Sequence, residues 1–343
     1  MWLKNVNILK CSEGDILASD VYSRNGMTLV VAKDTMLNEY IRNRLIEMGI
    51  GRVCIYEDQE QTLEPGEVKK TYKRTVELTR NLFQDLISGR PMDYKKIAVI
   101  GDQIMKCIHH NGNITECLAQ IRRKDEYTYS HSVNVAFYAM LIAKWMNLSK
   151  DEIYKAILSG LLHDIGKVKI PKPILSKTGR LTTEEFDIIK NHTIFGYEIV
   201  KQSKELDPDI KRAILLHHER MDGSGYPYSY EPDHLNLFSR IVAIADVFDA
   251  MTSERVYKGR STPFEAFQMF LTTGMSTFDV RILNVFIKNM VNYLVGSQVQ
   301  LSNGETGTIV FIPQNDLFSP VVNVSNKYID LSDESDIKIV KMI

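Results

Sequence analysis

Histidines and aspartates that could bind metal ions recur at several points of this sequence. The segment LLHDIGKVKIP places His163 beside Asp164 at the end of an apolar, helix-like run, and Gly166 follows as a stop signal. Neutral imidazole is a common ligand of iron, manganese and zinc, and a carboxylate can bridge two such ions. An isolated His-Asp pair is more often a hydrogen-bonded histidine beside a helix-end aspartate. This pair therefore predicts a metal site only together with further ligands.

Further candidate ligands lie in four other segments of the chain. They are His131 in YTYSHSVNV, His192 in IIKNHTIFGYEI, His217 and His218 at the end of IKRAILLHH, and Asp246 in the apolar run IVAIADVF. A buried carboxylate in such a run must be paired or bind a ligand, although a hydrogen-bonded aspartate that caps a neighbouring helix is the alternative. Seven donors exceed what one ion with an open coordination position uses, so the set predicts two ions.

The segments that carry these donors are predicted to be helices of one bundle. From about Tyr72 to Leu294 the apolar residues recur at three- and four-residue intervals, as in VNVAFYAMLIAKWM. Helical bundles build metal sites in their cores from inward side chains of facing helices. We therefore predict a multi-helix domain over residues 72–294, with the candidate ligands inside it.

The two ends of the chain have different patterns. Residues 1–60 combine strand-like alternation with one helical stretch and predict a small α+β domain, while residues 61–71 contain Pro65-Gly66 and predict a linker. Residues 295–343 alternate again, with Asn303-Gly304 as a hairpin turn, and predict a small all-β module. The fold class is thus mainly α, with a small mixed domain and a small β module at the ends.

Composition and charge restrict the functional class and the location. The chain has 42 basic and 43 acidic residues, a balance that indicates neither a nucleic-acid polymer nor a membrane as partner. Its four cysteines form no CxxC spacing and suit a reducing compartment, and no signal peptide or membrane span is predicted. We expect a cytoplasmic protein. The helical stretch from Tyr72 to Arg123 is compatible both with a homodimer interface and with core packing.

Taken together, the motifs resemble the HD-GYP subgroup of the HD-domain metal-dependent phosphohydrolases. The resemblance runs from about Lys124 to Arg260, through YTYSHSVNV, HDIGK, PKPILSKTGRLTTEEF, KNHTIFGYEI, HHERMDGSGYP and ADVFDAMTSERVYK. The order, spacing and identity of several motifs agree together, which makes the match far more specific than a bare His-Asp pair. It implies an HD-type helical bundle and a bacterial phosphodiesterase that opens cyclic di-GMP or, in some members, cyclic GMP-AMP.

The resemblance also implies roles for individual residues. The family's metal ligands fall on His131, His163, Asp164, His192, His217, His218 and Asp246, and Asp164 is expected to bridge two divalent ions, with iron or manganese favoured. Tyr127 stands where some members carry a glutamate that helps to hold a third ion, so two ions are expected. Asp164 and Lys167 are the implied catalytic residues.

Substrate contacts are implied for Lys167, Gly225, Tyr226, Pro227, Arg255 and Lys258. Arg and Lys suit phosphate oxygens, although a solvated basic face at a helix end is the alternative for Arg255 and Lys258. The remaining histidines, His109, His110 and His234, match no motif, and surface or packing roles are expected for them.

The implied reaction is attack of a metal-activated hydroxide on phosphorus, which expels the 3′-oxygen of one ribose and yields linear pGpG, with GMP as a further product in some relatives. Two alternatives remain open. A receptor that binds the dinucleotide without cleaving it would be favoured by lost ligand residues, and none is lost. A hydrolase of another phosphoester is disfavoured by the GYP segment. The terminal modules resemble accessory regions only loosely, and no ligand is predicted for them.

Overall fold

The computed structural model describes residues 2–57, 67–106, 127–177, 179–253, 261–334 and 336–343. The chain divides into two compact units. One comprises Leu63–Phe286, and the other combines Met1–Thr62 with Ile287–Ile343. In the part of the chain that the structure describes, no helix has both the length and the apolar character that a membrane crossing requires.

The terminal unit contains helix α1 (Glu39–Glu47), two small antiparallel strand pairs and one five-stranded antiparallel sheet. The pairs are β1 (Trp2–Asn7) with β4 (Arg52–Glu57) and β2 (Val21–Tyr22) with β3 (Leu29–Val31). The sheet has the order β8-β7-β6-β5-β9, from β5 (Gln298–Leu301), β6 (Thr306–Phe311), β7 (Val321–Val324), β8 (Lys327–Asp330) and β9 (Ile339–Met342).

The two ends of the chain share one hydrophobic core, although the sequence suggested separate modules. Leu17 and Leu45 from the N-terminal segment belong to the same buried cluster as Phe311 and Val321 from the C-terminal sheet. Asn38 caps α1 through the Ile41 amide and also donates its side-chain amide to the Val310 carbonyl oxygen at 2.8 Å. Alternation within each segment predicted the strands, but it held no information on which segments pack together.

The other unit is built almost entirely of helices, which confirms the predicted mainly-α fold class. Its helices are α2 (Glu67–Ile87), α3 (Tyr94–Lys106), α4 (Tyr127–Trp145), α5 (Lys150–Leu162), α6 (Lys172–Leu175), α7 (Thr183–Lys190), α8 (His192–Val200), α9 (Pro208–Leu216), α10 (Leu237–Thr252), α11 (Pro263–Leu271), α12 (Gly274–Thr277) and α13 (Val280–Met290), the last of which runs into the boundary between the units.

Sequence signals at the helix ends explain several of these boundaries. Ser149, Thr182 and Thr262 each form a capping box with the glutamate three residues later, at the starts of α5, α7 and α11. The start of α2 differs from the prediction, because Glu67 lies inside the predicted linker 61–71. Val68 and Tyr72 are buried, so the charged residues between them form the exposed face of an amphipathic turn.

Helix α4 lies in the core of this unit, between α5 and α10. Its residues Ser130–Ala143 are buried without interruption, as expected for a helix that is apolar on nearly all sides. Polar side chains within so apolar a helix must find partners inside the protein. His131, one of the predicted ligands, lies at the start of this buried stretch.

Candidate metal centre

The helical unit brings all seven predicted ligands into one cluster. His131 lies on α4, His163 caps the C-terminus of α5 with Asp164 after it, His192 begins α8, His217 caps α9 with His218 after it, and Asp246 lies on α10. The turn after Asp164 packs directly on α8, where a Cβ on Gly166 would lie 1.9 Å from the His192 carbonyl oxygen. Only glycine permits so close an approach.

Asp164 lies between two groups of imidazoles. Its Oδ1 atom is 3.3 Å from His192 Nε2, and its Oδ2 atom is 3.3 Å from His163 Nε2 and 3.6 Å from His131 Nε2. Potential ligand atoms therefore form two sets that share this carboxylate: Asp164 with His192, His217 and His218, and Asp164 with His131 and His163. A carboxylate that bridges two ions must belong to both ligand sets, as Asp164 does.

Asp246 completes the cluster from the opposite helix. Its Oδ1 atom lies 3.1 Å from His131 Nε2 and 3.9 Å from His163 Nε2, and its Oδ2 atom lies 4.0 Å from His218 Nδ1. The side chain thus reaches residues of both sets. The alternative that Asp246 only caps a neighbouring helix has no support in these contacts.

Four of the histidines are oriented through their Nδ1 atoms, which leaves Nε2 for the cluster. His163, His192 and His217 donate from Nδ1 to the carbonyl oxygens of Gly160, Ile189 and Ile214, at 2.7, 2.7 and 2.9 Å. His131 instead donates from Nδ1 to Asp249 Oδ2 at 2.7 Å. Metal-bound histidines usually make such a second hydrogen bond, because it fixes the tautomer and the ring orientation.

The donor set fits a divalent cation. Among the described residues, the buried atoms His163 Nε2 and Asp164 Oδ1 have no hydrogen-bond partner, a state that costs free energy unless something else binds them. Burial lowers the pKa of His217 and His218 well below the usual value, which keeps both imidazoles neutral at neutral pH. Neutral imidazoles are the form that binds metal.

The carboxylates have the complementary protonation state. Burial alone would raise the pKa of Asp164, but His163 and Lys167 outweigh it and hold that pKa well below its usual range. Burial likewise opposes ionisation of Asp246, and His131 overcomes it. For His131 itself, burial lowers the pKa, yet hydrogen bonds to Asp246 and Asp249 raise it to about 10. A cation bound at His131 would therefore replace a proton.

The segment after His218 forms one wall of the cluster. The ring of Tyr226 stacks on the His218 imidazole with centroids 4.6 Å apart, and its amide donates to the His218 carbonyl oxygen. A Cβ on Gly225 would lie 2.4 Å from Glu219 Cα, so glycine is needed here too. Pro227 follows Tyr226 through a cis peptide bond.

The other predicted site residues divide into described and undescribed ones. Lys167 donates from Nζ to Asp164 Oδ2, with one third of its side chain exposed. His234 lies in a short 3₁₀ turn, with its ring 5.2 Å from that of Tyr230. Four residues lie outside the described part of the chain: Arg255, Lys258, His109 and His110.

Three polar residues of the site region were not predicted from the sequence. Asp249 binds His131, Asn134 donates to Asp249 Oδ1 at 2.9 Å, and Glu219 accepts from the amides of the two tyrosines at positions 228 and 230. Asp249 follows Asp246 by three residues and Asn134 follows His131 by three, so each lies on the same helix face as a ligand. This three-residue spacing from a candidate ligand is the sequence feature that could have indicated Asp249 and Asn134.

Comparisons with known proteins agree with the geometry. Residues 116–282 match the family model described as HD domain. A curated cyclic di-GMP phosphodiesterase of Pseudomonas aeruginosa is 33% identical over 244 residues, which cover 71% of this chain and 59% of that protein. A cyclic di-GMP phosphodiesterase of Thermotoga maritima is 37% identical over 166 residues, which cover 48% of this chain and 45% of that protein.

A solved structure shares the fold across most of the chain. Bd1817, an HDG"Y"P protein from Bdellovibrio bacteriovorus, aligns with a TM-score of 0.55 over 84% of this chain and 99% of its own, at 13% identity. The chain spans about half the length of the curated relatives that it matches. The predicted HD-type bundle and the resemblance to the HD-GYP subgroup are confirmed, and the chain carries an HD domain over residues 116–282.

Proposed function

We propose that this chain is a metal-dependent phosphodiesterase that opens cyclic di-GMP to linear pGpG. The observation that carries the proposal is the convergence of seven donors from five helical segments, with Asp164 shared between two ligand sets. The relatives from Pseudomonas aeruginosa and Thermotoga maritima are named as cyclic di-GMP phosphodiesterases, which supports the choice of substrate.

We assign His131, His163 and Asp246 to one ion, His192, His217 and His218 to a second, and Asp164 to both. Iron or manganese suits this mixture of imidazoles and carboxylates. Two such cations, when bound, supply an activated water as the nucleophile and Lewis acids for the scissile phosphate.

The chain's own residues provide a positive charge and an aromatic face beside these ions. Lys167 pairs with Asp164 and is one third exposed, so its ammonium can reach an incoming phosphate oxygen without leaving the carboxylate. Tyr226 is fixed by its stacking on His218, and its ring offers a face to a guanine base. Gly225 and Pro227, which flank Tyr226, are assigned to the substrate contact by resemblance. Arg255 and Lys258 are assigned to the dinucleotide phosphates by resemblance.

A hydrolysis assay with defined metal content tests the proposal. The full chain, purified without oxygen and loaded with manganese or iron, is incubated with cyclic di-GMP and, separately, with cyclic GMP-AMP, and the products are separated by ion-exchange chromatography. We expect pGpG from cyclic di-GMP. Asp164→Asn should lose at least about a hundredfold in rate, since it removes the shared ligand. Asp151→Asn, at a carboxylate that is 79% exposed, is the matched control and should leave the rate unchanged.

The same assay separates the proposal from its alternatives. Two bound ions per chain without turnover of cyclic di-GMP would refute the reaction. Tight binding of the uncleaved dinucleotide under those conditions would indicate a receptor instead, and preferential turnover of cyclic GMP-AMP would reassign the substrate. A cytosolic location belongs to the proposal, because the scattered cysteines suit a reducing compartment.

A further inference from the structure

A chain of buried hydrogen bonds leads from helix α2 to the candidate ligand His131. The Tyr72 hydroxyl donates to Asn134 Oδ1 at 2.7 Å, Asn134 Nδ2 donates to Asp249 Oδ1 at 2.9 Å, and His131 Nδ1 donates to Asp249 Oδ2 at 2.7 Å. The side chains come from three helices, α2, α4 and α10. All four residues are at most 9% exposed.

This row of hydrogen bonds runs in one direction, because only one orientation of the Asn134 amide satisfies both of its neighbours. The Asn134 oxygen accepts from Tyr72, which turns the amide nitrogen toward the Asp249 carboxylate. The flipped amide would place its oxygen against that carboxylate, where two acceptors would oppose each other. The Asp249 carboxylate, which can only accept, selects this orientation of the Asn134 amide, and the Tyr72 hydroxyl holds the amide in it by donating to its oxygen.

The last hydrogen bond of this row, between Asp249 and His131, determines where His131 Nε2 lies. With Nδ1 held by Asp249, Nε2 is 3.1 Å from Asp246 Oδ1 and 3.6 Å from Asp164 Oδ2. A carboxylate on the second nitrogen of a metal-bound imidazole orients the ring and strengthens it as a ligand. Neither effect survives if the carboxylate turns away.

We infer that Tyr72 is a remote positioning residue for one of the two metal ions, acting through Asn134 and Asp249 on His131. The inference rests on the ligand sets of the proposed function. It is restricted to the ion assigned to His131, since His163, His192 and His217 are oriented by backbone carbonyl oxygens. A general structural role for Tyr72 would not distinguish between the two ions.

Manganese binding by the full chain tests the inference without measuring turnover. The chain is stripped with a chelator and titrated with manganese by calorimetry, to give one Kd for each of the two sites. We expect Tyr72→Phe, which keeps the ring and removes one hydrogen bond, to weaken one site about threefold to tenfold and to leave the other unchanged. Asp249→Asn should weaken the same site about tenfold to a hundredfold.

The matched control is Tyr154→Phe, which removes a hydroxyl bonded to the Ala98 carbonyl oxygen in the same unit. It should leave both Kd values unchanged. A second measurement combines Tyr72→Phe with Asn134→Ala. If the residues act in one chain, Tyr72→Phe has no further effect on Kd in the Asn134→Ala background. If Tyr72→Phe does not fold, Asn134→Ala still tests the path one link nearer to His131, and an unchanged Kd at both sites in that variant would overturn the inference.

Three results would overturn the inference. They are an unchanged Kd at both sites in Tyr72→Phe, equal weakening of both sites, and additive effects in the double variant. Each would leave the two wild-type sites, and so the proposed function, intact. A wild-type chain that binds two manganese ions but does not cleave cyclic di-GMP would instead refute the proposed reaction and leave the inference standing.

Discussion

Gly166→Ala is expected to disrupt the candidate metal centre although the substitution adds only one methyl group. The new Cβ would lie 1.9 Å from the His192 carbonyl oxygen and 2.4 Å from the Gly196 amide nitrogen. Cβ atoms essentially never approach other heavy atoms within 3.0 Å, so the turn and helix α8 must separate by about 1.1 Å. Both obstacles are backbone atoms and cannot rotate away.

This separation acts directly on the shared carboxylate. Asp164 precedes Gly166 by two residues, and its Oδ1 atom is 3.3 Å from His192 Nε2 on the helix that must move. Overpacking of this kind costs about 1 to 3 kcal/mol in the free energy of unfolding. A misplacement of about 1 Å in a catalytic site lowers the rate on the order of a hundredfold. We therefore expect the loss of activity to exceed what the loss of stability explains.

Three measurements on the purified variant check this expectation. Thermal unfolding gives the change in Tm, elemental analysis gives the bound metal per chain, and the cyclic di-GMP assay gives the rate. Gly179→Ala is the matched control, because a Cβ at that glycine meets no atom within 4 Å and should change none of the three. Full metal content together with the wild-type rate in Gly166→Ala would refute the reasoning.

Three further predictions concern pH, substrate and loop structure. Because burial lowers the pKa of His217 and His218 below 6.5, the unfolded chain takes up protons first as pH falls through 6.5. The free energy of unfolding of the metal-free protein should therefore fall by up to about 1.4 kcal/mol per pH unit for each histidine. Urea denaturation at pH 6.5 and 5.5 measures this change, and an equal free energy of unfolding at both pH values would contradict the prediction. Tyr226→Ala should raise the KM for cyclic di-GMP about fivefold to a hundredfold at unchanged metal content, whereas Tyr226→Phe should stay near wild type, and equal KM values for both variants would exclude stacking. Glu219→Gln should speed hydrogen exchange at the two tyrosine amides that this carboxylate binds, with the exposed Glu198→Gln as control, and unchanged exchange would show that the loop is held by other contacts.

The candidate ligands could be predicted because several donors recur in apolar helical segments, although each alone has an ordinary structural explanation. A carboxylate such as Asp246 within IVAIADVF has no role in an apolar core unless it has a partner or binds an ion. The helix pattern also predicted that these residues face a common interior. The contacts between them could not be predicted, because apolar residues at three- and four-residue intervals indicate the buried face of a helix but not which helices pack against it.

The partners of the ligands were missed for the same physical reason. Asp249 lies one turn after Asp246 and was indistinguishable from a second ligand or a capping residue until its contact with His131 was known. Glu219 looks like a solvated charge next to Arg220, yet it is 3% exposed and binds two backbone amides beyond the GYP turn. The shared core of the two chain ends was missed because its contacts join residues about 270 positions apart, such as Asn38 and Val310.

The positions of the ligands along their helices explain why only one of the oriented histidines needs an acidic partner. His163, His192 and His217 each lie just after the last turn of a helix, where Nδ1 reaches the carbonyl oxygen three residues earlier and donates to it. The neighbouring residues His217 and His218 can both face the cluster because the helix has ended, so their two rings can approach it from different directions. His131 lies inside α4, where the carbonyl oxygens already accept helical hydrogen bonds, so its Nδ1 atom must find a side chain. That side chain is Asp249, and a carboxylate needs further donors to be buried, which Asn134 and Ser253 provide. The inferred dependence of one metal site on these buried hydrogen bonds thus follows from placing a candidate ligand inside a helix.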